Sequence, residues 1–491
     1  MKKTVLLFIS LYMIISNALC QYSFNMELQS EFSYVNSKIF QISNSYYLVA
    51  NRSDKQEDVN PEIDYSPIIF KINDNGEVLD SLEWFDNTQN AFFNEIVEIG
   101  DNTFGLIGSV EISGQPGYFE IFYFIIDENL EIINEYYFDL ETGRIEYTCA
   151  FINTLNNVSI ASVVEKPNSK AKIFTTDKLL LEITLDGILI YDTVYDHSTQ
   201  EFVYDFIPYP NTTNYILFCS DGFEKSGEIN VLDTNYNIIE SYYSNDDATV
   251  RSIIQTLDNG FITSAREVDN GKVEWLPSFR KYNEFFEETN YVEFGSADTA
   301  SWPALYNSIS SIDYQNFYGG YTFNIDPYNF YSSSKSYFSV YSIDKNLNLS
   351  WNKFYGGDAY YRINDIATAS DGGCLLTGYK YKNGSIGPFV ASLVLIKTDE
   401  NGIITSTNEE ESIPIKNAII SPNPGKNFLQ LHTGIYPAKL QIFNINGQLI
   451  LEEEIHQNTT TIQTQSLSSG TYVWQLLKDG EVVENDKWVK E

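Results

Sequence analysis

The chain has 491 residues and a formal net charge of −37, from 67 acidic and 30 basic side chains. A field of this sign repels phosphate backbones, so the composition disfavours nucleic-acid binding and is typical of exported proteins. The 36 tyrosines and 32 phenylalanines favour β structure. With only 3 histidines, zinc sites and histidine-based triads are disfavoured. The length predicts one large domain and one small one.

The N-terminus predicts a cleaved signal peptide over residues 1–20. Lys2 and Lys3 precede the apolar run 5–15, and Ala18 and Cys20 are small residues at the two positions that a signal peptidase reads, which leaves Gln21 first. A lipoprotein anchor on Cys20 is the alternative, although Leu19 is unfavourable for it. No later stretch is apolar enough to span a membrane, so we expect no transmembrane segment in the mature chain.

Residues 21–408 contain a repeat of about fifty residues, in which short apolar runs alternate with Asp/Asn-Gly turns. The pattern predicts a meander of about four antiparallel strands in each unit and no helix. Because one such sheet cannot bury both of its faces, the units must pack against each other, and a β-propeller is the usual solution at this period. Seven blades are predicted, with six or eight as alternatives, from the unit markers Ile39, Ile96, Ile152, Ile207, Ile253, Ile309 and Ile366.

Two segments compete for the outer strand of the last blade. Phe24 to Leu28 occupies the position, ahead of the first unit, that Leu349 to Lys353 occupies ahead of the last. The stretch 402–406 is the alternative. We favour the N-terminal segment, which would close the ring.

The last unit resembles propeller-like repeats of secreted proteins from Bacteroidetes-type bacteria. The resemblance rests on residues 351–357, on Asp371-Gly372-Gly373 and on Leu376-Thr377-Gly378, and it weakens towards the first units. It implies a scaffold rather than an activity.

A second domain is predicted at residues 421–491, after a linker at 409–420. Alternating runs and the Asn446-Gly447 hairpin signal predict a small antiparallel β-sandwich. The ordered motifs resemble the type A C-terminal sorting domain of the type IX secretion system, with a fibronectin-like or carbohydrate-binding module as the alternative. The residues that carry the resemblance are Ser421, Pro422, Asn423, Pro424, Asn446, Gly447, Gly470 and Tyr472. It implies passage through the periplasm, contact with the secretion machinery, and release or surface display.

Aspartates recur at one turn position of the repeats. We interpret them as turn-forming side chains that accept hydrogen bonds from their own backbone. We predict no metal site and no cofactor, and calcium in these turns is the alternative. The residues are Asp74, Asp127, Asp186, Asp233, Asp344 and Asp399.

A mixed set of charged and aromatic residues is predicted just before the innermost strands, at the mouth of the central channel. Converging carboxylates, guanidinium groups and aromatic faces suit a sugar or peptide ligand, with packing between blades as the alternative. The candidate ligand-binding residues are Glu95, Arg144, Glu146, Asp205, Arg251, Trp302, Tyr361, Arg362 and Asp365. No catalytic residue is predicted. The aromatic segment 327–332 is a second candidate contact.

These observations favour a secreted or surface-displayed binding or scaffold protein with a glycan or protein ligand, and they favour a non-enzyme. An extracellular glycan hydrolase or lyase is the alternative, and a structural role in a surface layer is a third hypothesis.

Overall fold

The computed structural model describes sixteen stretches of the chain, and every regular element in them is a β-strand. The segment 327–332, His197 and residues 1–20 lie outside the described residues. The stretches are 23–28, 33–43, 45–53, 65–84, 89–100, 102–115, 117–165, 176–195, 201–221, 227–243, 248–268, 275–295, 300–325, 335–381, 391–405 and 413–491.

The first strand, β1 (Phe24–Leu28), is followed by seven antiparallel sheets in chain order, which we number as blades 1 to 7. Blade 1 contains β2 (Ser33–Ile42), β3 (Ser45–Ser53), β4 (Tyr65–Ile72) and β5 (Val78–Glu83). Blade 2 contains β6 (Ala91–Gly100), β7 (Thr103–Glu111), β8 (Phe119–Asp127) and β9 (Ile132–Thr142). Blade 3 contains β10 (Ile145–Ile152), β11 (Asn157–Glu165), β12 (Thr176–Thr184) and β13 (Leu189–Tyr195). Blade 4 contains β14 (Glu201–Pro208), β15 (Tyr215–Asp221), β16 (Gly227–Leu232) and β17 (Ile238–Tyr243).

The remaining blades keep this order, with a divided inner strand in blade 6. Blade 5 contains β18 (Ala248–Gln255), β19 (Phe261–Val268), β20 (Trp275–Tyr282) and β21 (Glu288–Glu293). Blade 6 contains β22 (Ser301–Pro303), β23 (Ile309–Ser310), β24 (Asn316–Phe323), β25 (Tyr337–Asp344) and β26 (Leu349–Gly356). Blade 7 contains β27 (Tyr360–Thr368), β28 (Cys374–Tyr381) and β29 (Ala391–Lys397).

The N-terminal strand closes the ring, as the sequence predicts. Strand β1 pairs antiparallel with β29 and completes blade 7 as its fourth strand. The first described strand is therefore joined to the last blade, which closes the ring. The sequence prediction of a seven-bladed propeller with four-stranded blades is confirmed by this topology.

The abundant aromatic residues fill the space between neighbouring blades. Phe279 of blade 5 packs edge-on against Tyr321 of blade 6, with ring centroids 5.8 Å apart. Gly319 lies under the same phenylalanine, and a Cβ there would come within 2.2 Å of the Phe279 ring. Large rings on one blade thus require small residues on the next.

Each inner strand, apart from the divided one of blade 6, carries a β-bulge. An extra residue bends the strand and reverses which side chains face the axis beyond it. The bulges lie between Val35 and Lys38, Phe93 and Glu95, Glu146 and Cys149, Val203 and Asp205, Val250 and Ser252, and Ile363 and Asp365.

The C-terminal domain is a two-sheet sandwich. One sheet contains β31 (Ala418–Ser421), β32 (Phe428–Thr433) and β35 (Thr459–Gln463). The other contains β33 (Ala438–Asn444), β34 (Leu449–Ile455), β36 (Gly470–Lys478) and β37 (Glu481–Lys490). Trp474 and Trp488 are 2% and 0% exposed in the core between the sheets.

The C-terminal domain is docked on blade 6. A short strand, β30 (Ile415–Lys416), pairs with the outer strand β26, within the segment that the sequence assigns to the linker. Gly434 lies so close to blade 6 that a Cβ there would be 2.2 Å from the backbone nitrogen of Asn352. Lys353 Nζ also donates to Asn417 Oδ1 at 3.0 Å.

Candidate functional site

The central channel is closed on its axis by side chains from several blades, including blades that are not neighbours. Lys38 Nζ of blade 1 forms an ion pair with Glu95 Oε2 of blade 2 at 2.8 Å and also donates to the carbonyl oxygen of Thr148 in blade 3. The same ammonium lies 4.9 Å from the centre of the Tyr306 ring in blade 6. Burial acts to lower the pKa of Lys38, but the charge of Glu95 raises it above the ordinary value overall.

Tyrosines complete this closure. The rings of Tyr147 in blade 3 and Tyr306 in blade 6 lie 5.9 Å apart across the channel. The cavity beside them, lined also by Lys38 and Tyr204, has a volume of about 10 Å³, which is room for about one water molecule. At this level the channel is a plug rather than a pore.

Hydrogen bonds between a side chain and the backbone connect neighbouring inner strands. Asp365 Oδ2 of blade 7 accepts from the backbone N–H of Ile39 in blade 1 at 2.9 Å. Asp205 Oδ2 of blade 4 likewise accepts from the N–H of Ile253 in blade 5 at 3.3 Å. Burial raises the pKa of each aspartate to about 7, although these N–H groups act in the opposite direction. Both aspartates therefore hold blade junctions together.

The structure places several of the predicted channel residues differently from the sequence prediction. Glu95, Asp205 and Asp365 lie within inner strands, at the bulges, rather than before the strands, and they belong to the plug. Tyr361 is 0% exposed, and its hydroxyl donates to Asp358 Oδ1 at 2.7 Å in the packing between blades 6 and 7. Extra residues at the bulges explain these differences, because they change which side chains point inward.

The other predicted residues lie near the start of the inner strands. Arg144 precedes β10, as predicted, whereas Glu146, Arg251, Trp302 and Arg362 lie within β10, β18, β22 and β27. Arg144 pairs with Glu146 and lies 4.8 Å from the Phe92 ring. Burial and Glu146 raise the pKa of Tyr147 to about 12, whereas the charges of Arg251 and Arg362 act to lower it.

Arg251 is held by aromatic rings. Its guanidinium carbon lies 4.8 Å from the Tyr204 ring and 5.5 Å from the Trp302 ring. Arg266, which sequence reasoning missed, lies 4.0 Å from the same tryptophan and 4.3 Å from Trp275. Arg251 and Arg266 are each only 2% exposed. Guanidinium groups and aromatic rings therefore pack together at this end of the channel.

Lys38 and Arg266 were not identified from the sequence. Lys38 follows the bulge of its inner strand. The residues at the same position in blades 2, 4 and 7 are Glu95, Asp205 and Asp365, which are all acidic. A positive charge at a repeat position that is acidic in three other blades is the signal that could have identified Lys38.

Four of the six turn aspartates behave as interpreted, and Asp74 and Asp186 do not. In blade 1 Asn73 Oδ1 accepts the turn hydrogen bonds instead of Asp74, and in blade 3 the Thr184 hydroxyl accepts from the N–H of Ile188 and donates to Asp186. Asp127, Asp233, Asp344 and Asp399 each accept hydrogen bonds from the backbone N–H groups two and four residues ahead. Within the described stretches, no group of three or more His, Cys, Asp or Glu residues is arranged to hold a metal ion.

The motifs of the C-terminal domain fasten its first segment to its last strand. Asn423 Oδ1 accepts from the backbone N–H of Val489 at 3.0 Å, and Asn423 Nδ2 donates to the carbonyl of Lys487 at 2.9 Å. Pro422 O accepts from Trp488 Nε1 at 3.0 Å. The Ser421–Pro424 motif thus joins the first segment of the domain to its last strand, and these contacts explain its residue types.

The other motif residues shape the turns of the same domain. Gly447 adopts a φ of +78° in the hairpin between β33 and β34, where a side chain would be strained. Tyr472 packs its ring against Trp488, with centroids 5.9 Å apart, and its hydroxyl donates to Ser468 O at 2.8 Å. Gly470 is the first residue of β36, and Asn446 lies in the hairpin turn between β33 and β34.

The architecture is a β-propeller ring followed by a small sandwich. Residues 420–491 match the family of the secretion system C-terminal sorting domain, which confirms the predicted resemblance. The chain is therefore a β-propeller protein exported by the type IX system to the cell surface or the medium. No helix in the described stretches is long and apolar enough to cross a membrane.

Solved structures are similar in fold but distant. No curated protein matches the sequence. A protein from Bacteroides caccae is 12% identical with a TM-score of 0.38, covering 63% of this chain and 93% of its own. The Pan2 WD40 domain of Neurospora crassa is 10% identical with a TM-score of 0.43, covering 77% and 97%. PorZ, a surface component of the type IX secretion system of Porphyromonas gingivalis, is 8% identical with a TM-score of 0.29, covering 93% and 70%. Similarity at this level carries no argument about activity.

Proposed function

We propose that this protein is a binding scaffold, secreted or displayed on the cell surface, whose ligand binds at the channel mouth. The end of the channel at which the inner strands begin carries this proposal, because Arg251 and the rings of Tyr204 and Trp302 bring cationic and aromatic groups together beside the closed axis. A concave floor with a few convergent polar groups is the usual form of a ligand site.

The alternative enzyme hypothesis receives less support from the same geometry. A glycan hydrolase needs two carboxyl groups free to act on the substrate. Asp365 is fully buried and accepts backbone hydrogen bonds through both oxygens, from Ile39 and from Asn307. Glu95 is committed to Lys38. The carboxyl groups nearest the axis thus support the ring rather than a reaction.

The test is a glycan and peptide array probed with the full chain, in the presence and absence of calcium. We expect a saturable ligand that raises the melting temperature and whose binding is lost in Trp302→Ala and Arg362→Ala. Lys439→Ala is the control, since Lys439 pairs with Glu452 and Glu454 in the C-terminal sandwich rather than in the propeller. Absence of any ligand, or binding that both mouth variants retain, would contradict the proposal. Binding that requires calcium would restore the turn aspartates as candidate ligands.

The export route is the second part of the proposal. The signal peptide at residues 1–20 directs the chain to the periplasm, and residues 421–491, joined through 409–420, then serve as the address for the type IX machinery. N-terminal analysis of the exported protein should give Gln21 as its first residue. A lipidated Cys20 would instead establish a lipoprotein anchor.

A further inference from the structure

A cleft opens at the junction between blade 6 and the C-terminal sandwich. Its volume is about 560 Å³, and small-molecule sites usually measure about 300–1,000 Å³ and often lie at domain interfaces. Phe323, Tyr337 and Gly357 line this junction cleft from the propeller, and Trp474 and the Ser421–Pro424 motif line it from the sandwich. It shares no lining residue with the small cavity on the channel axis.

The propeller wall of the junction cleft presents a lysine ammonium and a tyrosine hydroxyl. Residues two apart in an extended chain point to the same face, so Lys335 points the same way as Tyr337, and both line the cleft. Ser336 between them is buried, and its hydroxyl donates to the carbonyl of Tyr361. The Tyr337 ring is held tightly, because a Cβ on Gly357 would come within 2.2 Å of it. Among the described residues, neither the ammonium of Lys335 nor the hydroxyl of Tyr337 has a hydrogen-bond or ionic partner.

The sandwich wall adds an indole N–H and a carboxylate. Trp474 on β36 and Asp486 on β37 are paired directly across the sheet, and both line the junction cleft. Trp474 is only 2% exposed, yet its N–H donates to no acceptor in the part of the chain that the structure describes. A buried tryptophan N–H usually has an acceptor. Asp486 does not supply one, because its carboxylate pairs with Lys416 at 3.0 Å.

The three groups without a partner in the junction cleft are all hydrogen-bond donors. An ammonium and an indole N–H can only donate. Burial raises the pKa of Tyr337, so its hydroxyl keeps its proton and can donate as well. The carboxylate of Asp486 and the amide oxygen of Asn423 already accept hydrogen bonds. A ligand that fits must therefore bring acceptors, and the free ammonium favours a ligand with negative charge.

We propose that the junction cleft binds a small carboxylate-bearing ligand, which accepts hydrogen bonds from Lys335, Tyr337 and Trp474. One carboxylate can accept several hydrogen bonds at once, and bonds to an ionised acceptor are the stronger ones. The volume of the cleft suits a whole small molecule rather than a bare ion. Because the donors come from both domains, the bound ligand joins the propeller to the sandwich. This inference goes beyond the function proposed above, since it concerns a different site.

The experiment titrates the full chain calorimetrically with digalacturonate and with glutarate, a sugar and a non-sugar carboxylate, each beside its methyl ester. We expect binding of the carboxylates and not of the esters, and the tighter carboxylate identifies the source of the ligand. Lys335→Gln and Tyr337→Phe should each weaken binding about 10- to 100-fold, the usual effect of losing a hydrogen bond between a protein and a charged group.

Lys345→Gln is the matched control. Lys345 follows β25, whereas Lys335 precedes it, and within the described stretches Lys345 likewise has no ion pair. The control removes the same charge from the same blade at the opposite end of the strand, so it should leave binding unchanged. The bound carboxylate should also slow proteolytic separation of the two domains, since it contacts both.

The outcomes that would overturn the inference are distinct from those that test the channel. They are esters that bind as tightly as the acids, binding that Lys335→Gln and Tyr337→Phe both retain, and no binding of either carboxylate. Trp474→Phe keeps an aromatic ring but removes the N–H, and it should weaken binding by a similar factor. If this change lowers the melting temperature, the result of Tyr337→Phe decides, because that change removes only a hydroxyl. The variants at the channel end alter none of these donors, so each proposal can fail without the other.

Discussion

Replacing Lys38 by methionine tests whether the axial plug stabilises the ring. Methionine keeps most of the length and apolar stem of lysine but removes the ammonium. The change leaves the carboxylate of Glu95 without its partner at 2.8 Å and the carbonyl of Thr148 without a donor. It also removes the nearest positive charge from Asp365, which interacts with Lys38 electrostatically.

The expected cost follows from the geometry of the pair. Two unit charges at 2.8 Å attract by about 6 kcal/mol at an effective dielectric constant of about 20. Most of that attraction offsets the desolvation of both ions, so the pair itself contributes little net stability. Removing one partner is different, because the other stays buried and uncompensated. Lys38→Met should therefore lower the free energy of unfolding by about 3–5 kcal/mol.

Urea unfolding of the full chain, followed by tryptophan fluorescence, measures this cost in a double-mutant cycle. Glu95→Leu removes the second charge, and the double variant should be more stable than the sum of the two single effects predicts. The penalty of Lys38→Met should also shrink at acidic pH, where Glu95 becomes neutral. A cost below about 1 kcal/mol, or strictly additive effects, would refute an energetic role for the plug.

Three further changes address the C-terminal domain. Gly434→Ala places a Cβ 2.2 Å from the Asn352 nitrogen, so we expect faster proteolytic separation of the two domains with an unchanged melting temperature of the propeller. Trp488→Ala leaves a cavity and removes the hydrogen bond to Pro422 O, and it should destabilise the sandwich by about 3–5 kcal/mol in urea unfolding and abolish export. Burial lowers the pKa of His432 to about 3. The stability from its neutral ring is present above pH 6.5 and should fall by about 2 kcal/mol at pH 5, a loss that His432→Gln removes in a pH series of unfolding curves.

Repeat period and turn chemistry were sufficient to predict the propeller. The Asp/Asn-Gly turns lie where the sequence places them, since a tight turn restricts which residues it accepts. The closure by Phe24–Leu28 was also predictable, because that strand matches the outer strand of the preceding blade in its position relative to the unit. The turn residues are a local signal and the order of strands in each unit is a repeated one, and both kinds of signal can be recognised in a single sequence.

The candidate site was less predictable because it depends on bulges. One extra residue in an inner strand reverses the side to which every later residue points. Tyr361 and Asp365 lie on either side of such a bulge in β27. Alternation alone assigns both to the mouth, whereas Tyr361 lies in the core and Asp365 in the plug. The pairing of Lys38 with Glu95 joins residues 57 positions apart, and no local pattern encodes it.

The two domains should respond to pH in opposite directions. Burial raises the pKa of Asp205 and Asp365 to about 7, above the ordinary value of 3.8. Their contribution to folding is therefore fully present below pH 3.8 and is lost as the pH rises through 7, when the buried carboxyls must ionise. His432 in the sandwich has the opposite sign, because its pKa is lowered. Calorimetry at pH 5 and pH 8 should show the propeller transition moving down and the sandwich transition moving up as pH rises. Transitions that shift together would mean that the axial aspartates are already ionised at pH 5 and that their backbone hydrogen bonds outweigh their burial.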